Sequence, residues 1–183
     1  MTLMQHIPRY RHSGATLVIA MLMLLVLTVL GLASMTMTRF EERMAGNSRD
    51  VNLAFQGAEA GLRDAEERIR LWNEFTVPAA CATAPCSVWQ QNKLPVDLRD
   101  QLLTWWTANA TEYGVAGTKE ITEVTRDPLV VVEDLDFVPD SAALTPSYSH
   151  QPGRTFYRVT ADSAGASDTA EAILESTFVQ RYW

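Results

Sequence analysis

The sequence predicts an α+β protein in which one long N-terminal helix, apolar in its first half and amphipathic in its second, packs on a C-terminal antiparallel sheet. Three observations predict it: the stretch from Ala15 to Thr38 carries no charge, no proline occurs from Ala15 to Val77, and residues 154–178 alternate apolar and polar around a small-residue turn. A chain of 183 residues holds one domain, or one domain and an anchor. Hydrophobic residues at 47% and charged residues at 20% argue against disorder. A formal charge of -7 argues against nucleic acid as a partner.

Residues 1–14 contain Arg9 and Arg11 and no acid, and end in Ser13-Gly14. The following segment, 15–38, would be about 36 Å long as helix, enough for a bilayer core of about 30 Å. Basic residues ahead of it predict a cytoplasmic N-terminus and an exported remainder. A signal peptide or plain signal anchor has the same hydropathy. However, the apolar run exceeds the usual signal-peptide core of about 7–15 residues, and no small-x-small cleavage site with a break follows it. A peptidase cutting after Gly14 would remove the charges and retain the membrane helix.

The helical pattern continues through residues 39–75. Val51, Phe55, Ala58, Leu62, Ala65, Ile69 and Trp72 recur alternately four and three apart, which makes one apolar stripe and predicts helix-head packing. A coiled-coil dimer is the alternative use of that stripe. Glu59-Arg63, Asp64-Arg68 and Glu66-Arg70 are acid-then-base pairs on the outer faces, each contributing about 0.2–0.5 kcal/mol. Gly46, Gly57 and Gly61 weaken the helix by up to about 1 kcal/mol each; they mark local melting near Gly46-Asn47 or close approach of the backbone at Gly57 and Gly61. Pro78 is the first stop signal, so the helix is expected to reach about Asn73.

Residues 76–183 form the soluble head. Cys81 and Cys86 close a short loop, and an oxidising compartment favours a disulfide there. A reactive thiol pair and two free cysteines are the alternatives. Residues 95–107 predict a short helix with Leu98, Leu102, Trp105 and Trp106 inward; the paired tryptophans suit core packing or a sugar platform. Residues 129–135 read as a strand, and 154–178 as a hairpin turning at 162–167 with one apolar face, whose partner is the helix stripe.

No catalytic constellation is present. Glu133, Asp134, Asp136 and Asp140 lack the glycine and distant glutamate of an EF-hand loop and read as a solvated acidic face. His6, His12 and His150 are too few for a multi-histidine metal site, and His150 lies in a polar loop. No metal and no cofactor is expected.

The basic leader ending in Gly14, the apolar helix and its amphipathic continuation resemble the type IV pilin class. Phe40 to Asn47, followed by Arg49-Asp50 and Asn52 to Ala60, resembles more particularly the PilX family of minor pilins, as does the C-terminal hairpin through Phe178 to Trp183. The resemblance implies a pilin-like fold without catalysis. It implies cleavage by prepilin peptidase between Gly14 and Ala15, N-methylation of Ala15, and an inner-membrane subunit with a periplasmic head that ends at the pilus tip. It also implies roles in pilus assembly, cell adhesion and twitching motility, with other minor pilins, the major pilin and a PilY-type tip adhesin as partners. Two positions depart from the major-pilin pattern. Ala15 stands where phenylalanine is usual, and Ile19, the fifth residue after the cut, stands where most pilins carry glutamate. A pseudopilin of a type II secretion system and a membrane-anchored periplasmic enzyme or binding domain share the same outline; the Glu41-to-Asn47 segment favours PilX.

Overall fold

The structure, a computed structural model, describes residues 13–73, 76–114, 120–140 and 152–182. The predicted leader up to His12, and the loop with His150, lie outside the described residues. Helix α1 runs Ser13–Leu71. The chain separates into two compact units, residues 1–46 and 47–183.

In the first unit α1 is exposed, and it is apolar all round from Ala15 to Thr38. By length and composition it can cross a membrane, with a mean hydropathy of 2.7 over its most apolar window. Three of its hydroxyls bond back to the helix: Thr28 donates to the Leu25 carbonyl at 2.8 Å, Thr36 to Ala33 at 2.8 Å and Thr38 to Ser34 at 3.2 Å. Such back-bonding satisfies a hydroxyl where lipid offers no partner.

In the second unit the rest of α1 meets a five-stranded sheet. The strands are β1 (Trp89–Gln90), β2 (Thr111–Glu112), β3 (Leu129–Pro139), β4 (Gly153–Ala164) and β5 (Glu171–Tyr182), ordered β1-β3-β4-β5, with β2 also on β3. Most pairings are antiparallel, but β1 runs parallel to β3, so the sheet is mixed. A short helix α2, Leu103–Asn109, precedes β2.

The sheet is buried on both faces, where the hairpin pattern predicted one. Val130, Val132, Tyr157, Val159 and Ala161 pack with α1 residues Ala58, Leu62, Ala65 and Ile69, and Trp72 meets Tyr157 edge-on at 5.8 Å. On the opposite face Leu129 and Val131 pack with Cys86, Trp89 and Trp106. The unbroken apolar run Leu129 to Val132 is therefore two alternating sets serving two cores.

Several boundaries differ from the sequence reading. α1 stops at Leu71, because Asn73 and Thr76 form a reciprocal side-chain-to-backbone turn, with hydrogen bonds of 2.9 and 3.0 Å, before Pro78 is reached. The predicted 95–107 helix shrinks to α2. Leu102 lies outside it and exposed, Leu98 is half-buried, and only Trp106 is fully enclosed, crossed by Trp105 at 5.4 Å. The hairpin turn falls at 165–170, so Asp162 and Ser163 are buried strand residues. Glu133 is not part of a solvated face: it is 3% exposed and ion-paired to Arg158.

The α1 stripe is also corrected. Val51 and Phe55 are 49% and 48% exposed, while Ala54, Gly57 and Gly61 are buried. The docked face is rotated toward the small residues, which let the sheet come close. A Cβ on Gly61 would lie 2.9 Å from the Pro128 side chain and 3.2 Å from Val130, and one on Gly57 would collide with Ser163. A Cβ on Gly46 would meet nothing within 4 Å. Overpacking costs about 1–3 kcal/mol, so Gly61→Val should lower head stability by about 2 kcal/mol. Gly46→Ala should leave head stability unchanged or add up to about 1 kcal/mol from helix propensity. Urea unfolding of the full chain in detergent micelles, followed by tryptophan fluorescence, measures both.

Candidate assembly site

The residues that the sequence assigns to assembly fall into an exposed helix and a latched head. Gly14 and Ala15 are the first exposed positions of α1 and are helical. Ile19 is 56% exposed among other large apolar side chains, and no carboxylate stands at that position. The segment can present an apolar surface to lipid or to other helices, and nothing at its fifth residue after Gly14 can accept a proton or pair with an amine. Further along, Phe40 and Met44 are exposed, as are Val51 and Phe55 at the start of the head unit.

The head is fastened to the start of its own helix by Asp50. The Ser167 amide donates to Asp50 Oδ1 at 3.0 Å and the Ser167 hydroxyl donates to Oδ2. A Cβ on Gly165 would clash with Asp50, so the β4–β5 turn sits directly against the helix. These bonds, led by the hydroxyl, hold the Asp50 carboxyl below its ordinary pKa against a smaller opposing effect of burial. Nothing local in the sequence identifies a partner for Asp50 117 residues away. Lower on the helix, Glu66 turns to the sheet and accepts from the Ser176 hydroxyl at 2.8 Å, instead of serving the expected pair with Arg70. The Glu59–Arg63 pair is present, and Asp64–Arg68 stands at 3.4 Å. Burial lowers the Arg68 pKa, with Asp64 opposing.

The same end of the sheet holds a charge cluster around the buried Asp162. Arg126 donates to Asp162 at 2.7 Å and to Glu171 at 3.2 Å, and Thr125 bonds the Gly165 carbonyl through both its amide and its hydroxyl. The 125–126 segment thus clasps the turn that Asp50 holds from the other side. Burial raises the Asp162 pKa to about 6, with Arg126 opposing and Glu171 adding to the rise.

Cys81 and Cys86 are disulfide-bonded, with Cα atoms 6.0 Å apart. The loop joins the sheet through paired backbone bonds, Cys81 amide to Val88 carbonyl and Gln90 amide to Cys81 carbonyl, each 2.9 Å. Cys86 and Trp106 share the outer core, so the tryptophan pair serves packing and offers no flat sugar platform. Of the acidic cluster, Asp140 pairs with Arg181 at 2.7 Å and Asp136 accepts from the Phe137 amide at 2.8 Å. Burial and the neighbouring Asp136 raise the Asp134 pKa. Among the described residues, no three His, Cys, Asp or Glu side chains converge to hold a metal ion.

Residues 13–63 match the PilX N-terminal family, and residues 43–180 match the type IV pilus assembly protein PilX C-terminal family. No curated protein and no solved structure matches the chain.

Asp162 is ionised only above about pH 6 in the fold, against an ordinary value of 3.8, so between those values the folded chain binds a proton that the unfolded chain has lost. Its contribution to stability is complete below the ordinary value and disappears as pH rises through about 6. Asp162→Asn should flatten this part of the stability profile, read as melting temperature against pH from 4 to about 7. Closing the short disulfide loop contributes about 2 kcal/mol by the chain-entropy account, so Cys81→Ser with Cys86→Ser should lower unfolding free energy by about that much. Native-like circular dichroism should persist below the new transition.

Proposed function

Because the chain belongs to the PilX family of type IV pilus assembly proteins, we propose that it is a non-catalytic minor pilin that primes the pilus and stays at or near its tip. The apolar first half of α1 is a membrane anchor. In this reading it leaves lipid for the company of the same segments of neighbouring subunits, after prepilin peptidase removes residues 1–14 and Ala15 is methylated.

Ile19 is the observation that carries the tip placement. A subunit in mid-filament must offer something to the buried terminal amine of its neighbour, and a buried charge left without a partner is costly. An exposed isoleucine offers only methyl groups. Such a subunit is a poor repeating unit, but it is acceptable at the end, where no further subunit lies beyond. Phe40, Met44, Val51 and Phe55 are apolar and exposed, and neighbouring pilin helices would cover them too. The head then selects its neighbours: other minor pilins, the major pilin below, and a PilY-type adhesin. The disulfide suits a head that matures in the periplasm.

Deleting the protein should reduce the number of pili without altering the shaft of those that remain. Immunogold labelling should mark tips. Ile19→Glu should move part of the label into the shaft. Uniform labelling along wild-type pili contradicts the tip placement, and normal piliation without the protein contradicts priming.

A further inference from the structure

The sheet face turned away from α1 carries a groove of about 430 Å³ between the strands and the segment 92–99. The volume falls in the range of sites that enclose a small ligand or a few residues of peptide. Its floor is built by register. Glu133 on β3 lies opposite Arg158 on β4, and Thr160 on β4 lies opposite Glu175 on β5. Side chains of successive odd or even positions share a face, so these groups project together beside Ile173.

Two buried oxygens in this floor receive no hydrogen bond. Glu133 and Thr160 are each 3% exposed. Glu133 Oε1 accepts from the Asn92 amide at 2.8 Å, but Oε2 receives no hydrogen bond, although Arg158 stands 3.2 Å away. The Thr160 hydroxyl has no partner. Glu175 is 3.7 Å from the same Arg158, too far for a hydrogen bond. One guanidinium therefore stands between two carboxylates and completes a hydrogen bond with neither. Buried polar atoms are normally satisfied, so these two oxygens leave hydrogen-bonding capacity for a ligand in the groove.

The balance of charge identifies it. On the floor two carboxylates face one cation, and on the wall Asp97 and Arg99 cancel, so the groove holds one negative charge in excess. Leu94, Leu98 and Ile173 provide apolar walls, and Val96 stands fully exposed at the rim. An apolar passage ending in spare acceptors fits an alkyl stem with a cationic head. We infer that the groove receives a basic side chain, lysine or arginine, from a peptide segment of another pilus subunit, with its head on Glu133 Oε2, Thr160 and Glu175 and its stem against Leu94 and Ile173. The source of the segment rests on the assembly reading above; the chemistry of the groove does not.

The test uses the isotope-labelled full-length chain in detergent micelles, titrated with acetyl-Gly-Lys-Gly-amide, its arginine counterpart and its norleucine counterpart. The two basic peptides should give saturable shifts at the Ile173 methyl and the Asn92 amide, and norleucine should give none. Glu175→Gln, at an exposed position, should weaken the response about fivefold, in the range of a lost charged contact at a partly open site. Thr160→Val keeps the shape of the strand residue and should weaken the response similarly while leaving the melting temperature equal or higher. Equal responses to lysine and norleucine overturn the inference. So does a response to spermidine with none to either basic peptide, or a Thr160→Val protein that binds as before. The titration needs no pilus, so its failure leaves the tip placement standing, and mislabelled tips leave the groove's chemistry standing.

Discussion

The head depends on how closely α1 and the sheet approach each other at Gly57 and Gly61. Side chains at those positions would occupy the space of Ser163, Pro128 and Val130. With hydrogen atoms there, Ala58, Leu62, Ala65 and Ile69 reach between Val130, Val132, Tyr157, Val159 and Ala161 to make one core. A helix with two glycines in one turn-and-a-bit gives up about 1 kcal/mol each in propensity. Helices in proteins draw most of their stability from the packing of one face, which is what the close approach supplies. Asp50 and Thr125 then both hold the β4–β5 turn, through Ser167 and Gly165, which fixes the sheet against the helix at that end.

Much of this was legible. The apolar run, the proline-free stretch and the strand alternation depend on period and composition, and they located α1, β3, β4 and β5. Gly57 and Gly61 were marked as positions of close approach, with melting expected near Gly46-Asn47, and the structure shows the close approach. What was hidden has a common cause: it depends on pairings distant in sequence. Val51 and Phe55 fit the stripe by hydropathy, yet the docked face is set by small residues, which carry little hydropathy signal. The second core was hidden because Leu129 to Val132 reads as one apolar run whichever way its side chains divide. Asp162 was assigned to a turn because Asp, Ser, Ala and Gly suit turns; its partner Arg126 lies 36 residues away. Glu133 was assigned to an acidic surface because its neighbours are acidic, although alternation puts it on the opposite face from Asp134.

The same division separates the roles of the molecule. The apolar half of α1 is generic, since any helix with its hydropathy could leave lipid for a bundle. In the proposed reading Ile19 bears on the position in the pilus, and the choice of neighbours falls to the head, where charges are placed by the sheet register. The groove under residues 92–99 has that character, with spare acceptors fixed on rigid strands and an apolar rim around them. Family membership gives the process, pilus assembly.

The central claim is that one helix serves first as anchor and then as assembly element, which requires that the basic leader be removed and the apolar half kept. Intact mass and N-terminal fragmentation of the protein extracted from the cell envelope measure this directly. The account predicts a mature chain beginning at Ala15 and carrying one added methyl group. A chain beginning at Met1, or at any residue from 30 to 45, would contradict it.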